Sequence, residues 1–170
     1  MAIPALVSVA EYPPTSFPPD CEHMDGVIVE RNLGERDHST LHMGVSCLLA
    51  QLRATLGIHV FLGQRVQVSP TRFRVPDICV TVGPKPVEQI FTEPPFLCVE
   101  VLSSEDRAAA TQEKIDDFLV FGVRYVWVIN PRARRAYIHS AEGSREAKDG
   151  VLRTENPDIA ILRAEIFAAR

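Results

Sequence analysis

The chain lacks most features that would advertise a compartment or a partner. No apolar run is long enough to cross a membrane. The four cysteines, Cys21, Cys47, Cys79 and Cys98, show no CxxC pairing, which argues against a cysteine-built zinc site and a disulfide framework. Three of them stand among apolar neighbours and read as small core residues. Positive charge is not in excess. The formal net charge is -4, so no overall basic field points to nucleic acid, although an acidic total leaves room for a local basic groove. The first ten residues, MAIPALVSVA, lack a basic start and a full hydrophobic region, so no signal peptide is read there and a cytoplasmic location is the default. No repeat, linker or low-complexity tract divides the chain. What remains is ordinary for a globular protein: 170 residues, 46% hydrophobic and 24% charged, enough for one domain over 1–170 with a real core.

The most informative stretch is Pro95 to Ser103, PFLCVEVLS. Apolar residues occupy both alternating faces, as in a strand covered on both sides. Glu100 sits in its middle. A carboxylate there costs several kcal/mol unless a cation, a proton or hydrogen bonds compensate it. Glu100 is therefore either the partner of a buried basic residue, a neutral acid, or a metal ligand at the open end of a sheet.

Taken in order, residues 1–20 are punctuated by prolines and read as irregular, with a short helix at Ser8–Tyr12 stopped by Pro13-Pro14. Asp25-Gly26 predicts a two-residue hairpin turn between Cys21–Met24 and Val27–Arg31. From about Asp37 the period becomes helical, with Leu41, Val45, Leu48, Leu49, Leu52 and Leu56 in one stripe and Gly57 as a stop. Strands are predicted at His59–Val68, Phe73–Val82 and Phe96–Leu102. Pro76 lacks a donor, so its strand lies at an edge or starts afresh there. Gly83–Pro95 is a loop with four prolines. A helix regular by Thr111, a strand at Arg124–Ile129, another at Arg135–Ser140, weak strands at Glu146–Ala147 and Val151–Thr154, and a final helix at Ile161–Ala169 complete the chain. Trp127 and Tyr125 alternate along a strand and are expected to be structural.

Asp77, Glu100 and Lys114 form the chemical constellation. Asp77 opens one core strand, Glu100 lies in the next, and Lys114 flanks the inward stripe of the helix after it. Two carboxylates from adjacent strands can hold a hard cation such as magnesium, with water and substrate phosphate completing an octahedron. A nearby ammonium would orient the nucleophile or stabilise added negative charge. The plainer alternatives are a strand-start cap for Asp77 and a surface pair with Asp117 for Lys114. His38 and His42, four apart, could face one point, but Ser39 stands where an HExxH motif has glutamate. Polar residues at a helix start are the preferred reading of that pair.

The stretches RVPDICV, FLCVEVLS and EKIDDFLVFGVRYVWVINP resemble the motif series of the Uma-two family of putative endonucleases. That family lies in the PD-(D/E)xK nuclease superfamily, with restriction enzymes and Holliday junction resolvases. The likeness runs from CEHMDGVIVERN to the Arg124 strand. It implies an α/β (α+β) restriction endonuclease-like fold: a mixed central sheet flanked by helices, with extra β-hairpins. It also implies Asp77, Glu100 and Lys114 as catalytic residues, with Asp77 and Glu100 holding Mg2+, or Mn2+ in its place. One departure stands out. The usual lysine position, two after the acidic residue, is Leu102 here, and Lys114 matches a lysine moved to the next helix. Many superfamily members carry a further acidic residue near the first helix. Of Glu22, Glu30 and Glu35, Glu30 is preferred as an additional metal ligand because it ends a strand close to that helix.

Three functions compete. The first is a metal-dependent endonuclease acting on DNA, with Arg65, Arg72, Arg74 and Arg107 as local phosphate contacts and a homodimer serving two-strand cleavage. The second is a non-catalytic nucleic-acid- or protein-binding module on the same fold. The third is a metal hydrolase built on His38 and His42, for which the sequence identifies no third ligand. In the first reading Lys114→Ala should remove cleavage while leaving the fold largely intact.

Overall fold

The structure, a computed structural model, describes residues 6–12, 21–31 and 34–168. Pro13, Pro14 and Asn32-Leu33 lie outside the described residues. Ser8–Tyr12 is a turn rather than the expected helix, closed by Glu11, whose carboxylate accepts from the Ser8 amide at 3.0 Å.

The first hairpin forms as the turn residues dictate. Strands β1 (Cys21–Met24) and β2 (Val27–Glu30) are joined by Asp25 and Gly26 at φ 52° and 92°, the left-handed values of a tight hairpin turn. Helix α1 (Arg36–Gln51) buries Leu41, Val45 and Leu49, and α2 (Arg53–Leu56) extends it to Gly57.

The next two expected strands each divide. His59–Val68 becomes β3 (Ile58–Leu62) and β4 (Val66–Ser69), with Gly63 at φ 56° between them. Phe73–Val82 becomes β5 (Arg72–Arg74) and β6 (Ile78–Val82), parted at Pro76 and Asp77. The two breaks face each other, since the Gly63 amide donates to the Asp77 carbonyl at 3.0 Å. Pro76 thus marks a fresh start, and β6 lies inside its sheet.

The remaining elements are β7 (Leu97–Val101), α3 (Ala108–Phe121), β8 (Tyr125–Asn130), β9 (Arg135–Ser140), β10 (Gly143–Glu146), β11 (Val151–Arg153), β12 (Ala160–Leu162) and α4 (Arg163–Ala168). The expected C-terminal helix therefore begins later than Ile161, because Ala160–Leu162 pairs with β11 first. A four-stranded sheet has the order β2-β1-β5-β4, and a six-stranded sheet the order β10-β9-β8-β7-β6-β3. The larger sheet is mixed: β7 and β8 run parallel through the α3 crossover, and its other pairs are antiparallel.

Both faces of the large sheet are covered. On one, Ile78, Val80, Leu97, Val99, Val101 and Trp127 pack with Leu41, Val45 and Leu49 of α1 and with α4. On the other, Cys79, Cys98, Val126 and Val128 pack with Ile115 and Phe118 of α3 and with Val66 and Val68. Trp127 is fully buried in the first core, and Tyr125 packs edge-on against Phe96, so both are structural as expected. Among the described residues no helix is long and apolar enough to cross a membrane.

Candidate functional site

The place where the two sheets part is also where charge is buried. Alternation along β7 turns Cys98 toward α3, and Glu100, two residues on, follows it. The β6–β7 register pairs Ile78 with Val99, and one further step sets Asp77 opposite Glu100. Directly opposed residues of antiparallel strands have Cβ atoms about 4.5–5.5 Å apart. Pro76 and Asp77 lie in the break between β5 and β6, so Asp77 stands just outside the regular ladder.

Each oxygen of Asp77 has a defined partner. Oδ2 accepts from the Val101 amide at 2.8 Å and from His38 Nε2 at 3.3 Å. Oδ1 accepts from Arg31 Nη2 at 2.6 Å. His42 Nε2, one turn along α1, donates to the backbone carbonyl of Asp77 at 2.9 Å. The two histidines thus do face one point, and that point is Asp77. Gly34 makes room for this: a Cβ there would stand 2.4 Å from His38 Nδ1.

Lys114 reaches down from α3. Its Nζ donates to Glu100 Oε2 at 2.9 Å and to the Val75 carbonyl at 2.9 Å, and lies 3.0 Å from Glu22 Oε1. The pairing with Asp117 does not form. Asp117 instead binds Arg72 and Arg74, at 2.5 and 2.6 Å. Arg74 also bridges to Glu22 Oε2 at 2.7 Å, and Arg72 holds Glu113 as well. Arg72 and Arg74, expected to grip phosphate, are committed to carboxylates, Arg74 at only 5% exposure. Arg65 stacks over the Tyr12 ring at 4.8 Å, and Arg107 is exposed at the start of α3.

The electrostatics follow from this crowding. Burial pushes the Glu100 carboxyl up to about 8, with Asp77 and Glu22 adding to the rise and Lys114 opposing it. Burial alone would depress the Lys114 ammonium, but Glu100 and Glu22 outweigh it and the net shift is upward. Asp77 is held well below the usual carboxylate range: the His38 hydrogen bond, Lys114 and Arg31 together overcome its burial. Glu22 is lowered likewise, Lys114 and Arg74 overcoming burial. Burial raises the Cys79 thiol to about 12, which leaves it an inert core group.

A cavity of about 140 Å3 opens onto this cluster, lined among others by Glu30, Arg31, Asp77, Glu100, Ser103 and Lys114. Glu30 is exposed at its rim, whereas Glu22 is the N-terminal acid that joins the buried group. The hairpin register sets the two on opposite faces, since Glu22 lies opposite Val29 and Glu30 opposite Cys21. Glu35 instead accepts from the Ser104 hydroxyl. Sequence reading gave Arg31 no role and left the choice among the three glutamates to proximity. Glu22, between Cys21 and His23, carried no local signal that set it apart; its place is fixed by Arg74 and Lys114, distant in sequence.

Among the described residues no three or more His, Cys, Asp or Glu side chains converge on one metal position. Zinc, which favours a set of protein donors, does not match that arrangement. A hard cation taking one or two carboxylates plus water and phosphate does match. Glu100 Oε1 has the character such an ion needs: a buried oxygen without a hydrogen-bond partner.

Comparison with known proteins bears on the fold and the family. A protein from Anabaena variabilis, described as a putative nuclease belonging to DUF820, superposes with a TM-score of 0.82 at 17% identity. The match covers 96% of this chain and 98% of that one, and at such identity it concerns the fold. No curated protein matches. The family model described as putative restriction endonuclease, Uma2, matches residues 11–166, and the chain belongs to that family.

Proposed function

We propose that the chain is an endonuclease that hydrolyses DNA phosphodiester bonds with the help of a divalent cation, Mg2+ or Mn2+. Asp77, Glu100 and Lys114 are its catalytic group. The observation that carries this reading is Lys114, drawn from α3 onto Glu100 at 2.9 Å beside a carboxylate oxygen without a partner. When bound, the cation supplies an activated water and offsets charge on the phosphate. Asp77 and Glu100 present the oxygens that would hold it, with Glu30 at the rim as an additional carboxylate. Lys114 places a fixed positive charge where negative charge accumulates on the reacting phosphate. Glu22 and the Val75 carbonyl position that ammonium, so it needs no reorganisation when substrate arrives.

The test is a cleavage screen over single-stranded, duplex and branched DNA with Mg2+, Mn2+ or EDTA. Cation-dependent cleavage that is lost in Asp77→Asn supports the reading. Absence of strand breaks under every condition overturns it. One observation favours the binding-module reading: Lys114 and both Asp77 oxygens already have protein partners, as in a purely structural cluster. That reading expects DNA to be retained and never cut.

A further inference from the structure

The nuclease reading leaves Arg31 without a task. Arg31 follows β2 and lines the cavity, with its side chain 24% exposed. Its Nη2 holds Asp77 Oδ1 at 2.6 Å, and its Nη1 lies close to Gly63, 4.0 Å from where a Cβ would stand. The two oxygens of Asp77 are therefore held in different ways. Oδ2 is tied to the β7 backbone through Val101 and to α1 through His38. The Oδ1 contact comes from a part-exposed side chain outside the strands, so its loss breaks no sheet hydrogen bond. In the same cavity Glu100 Oε1 and Ser103 Oγ are buried without hydrogen-bond partners. A divalent cation and a guanidinium crowded onto Oδ1 repel each other at contact distance, so each weakens the other's hold on it.

We propose that Arg31 is the exchangeable counter-ion of this site. It neutralises Asp77 until a divalent cation takes Oδ1, and the released guanidinium then binds the phosphate of the DNA. This rests on the metal-assisted reading above and adds to it a coupling between cation and substrate. Arginine suits both states, since its planar fork fits carboxylate and phosphate alike. A cation arriving alone must break the Arg31–Asp77 pair, whereas one arriving with phosphate gives Arg31 a new partner. Metal and DNA binding are then mutually reinforcing.

The test measures Mn2+ binding by calorimetry on the folded full chain without DNA, for wild type, Arg31→Ala and Arg31→Gln. The glutamine variant keeps a donor for Asp77 should the alanine variant fail to fold. The variants are expected to bind Mn2+ at least tenfold more tightly than wild type. They should bind a short DNA duplex in Ca2+ at least tenfold more weakly, at fixed salt, and lose the enhancement of DNA binding by cation. In wild type the Arg31 Nε–Hε resonance should shift on Mg2+ addition. Folded variants with unchanged or weaker Mn2+ affinity overturn the exchange, even if DNA binding falls. If neither wild type nor variants bind Mn2+, the metal-site reading falls and this proposal falls with it.

Discussion

Two cavities of this molecule are instructive side by side. The one between the diverging sheets measures about 140 Å3 and is lined by buried, paired charge. The other, about 240 Å3, lies at the far end of β8 and β9, among Tyr125, Ser140, Ser144, Arg145, Arg153 and Glu155. It is larger, but its charged residues are exposed and loosely paired, Arg153 reaching Asp158 only at 3.5 Å. Exposed charges keep their water and interact weakly. Buried ones must be compensated, and their compensation fixes geometry. What its charge costs is the reason the smaller cavity is the one proposed as the chemical site.

The sharpest way to break this contrast is Lys114→Ala. Cleavage should fall on the order of a hundredfold or more, as when one preorganised charge at a reacting centre is removed. Lys114→Arg should rescue poorly, since a planar fork does not replace a compact ammonium. The expectation that this change spares the fold needs revision. Lys114 satisfies Glu22, Glu100 and Val75 together, so its loss should also lower stability, and rates must be compared on protein shown to be folded. Wild-type rates in such protein would remove Lys114 from the mechanism.

Next in size is Arg74→Ala, which leaves Glu22 Oε2 without its partner, Glu22 Oε1 with Lys114 and the Val75 amide, and Asp117 with Arg72. Breaking a buried pair from one side costs on the order of 3–5 kcal/mol, readable as a lowered urea midpoint. A change near zero would mean the network is solvated.

Glu100 supplies a pH test. Its native value, about 8, lies above its ordinary 4.5, so the folded state binds the proton more tightly than the unfolded chain. Stability from this group is full below the lower value and declines as pH rises through the window to the upper one. Glu100→Gln should flatten that decline in thermal midpoints taken from pH 5 to 8. An unchanged slope would place the titration elsewhere. Asp77 has the opposite sign: its contribution is lost as pH falls below its ordinary 3.8.

Gly34→Ala should push the His38 ring off Asp77, seen as altered His38 ring resonances, at a cost of roughly 1 kcal/mol, typical for a single substitution. Retained resonances would show that the loop yields instead. In the larger cavity Arg145→Ala should change neither cleavage nor stability beyond about 0.5 kcal/mol. A marked loss of cleavage there would undo the contrast between the two cavities.

Much was legible in the sequence because local physics fixed it. Asp25-Gly26 could make only a tight turn, the leucine stripe from Leu41 had one burial solution, and Glu100 between Val99 and Val101 had to be a compensated carboxylate. The resemblance carried the order of elements and pointed to Lys114. The tertiary structure decided the rest. Pro76 read as a local interruption and Gly63 passed unremarked inside one expected strand, yet together they pass two strands from one sheet to another beside Asp77. Which glutamate meets Lys114, and which arginines are already spent on carboxylates, depended on pairings such as Arg74 with Asp117, 43 residues apart. A sequence states that a buried charge needs a partner. Only the folded chain, which brings distant residues within hydrogen-bond reach, determines which partner it gets.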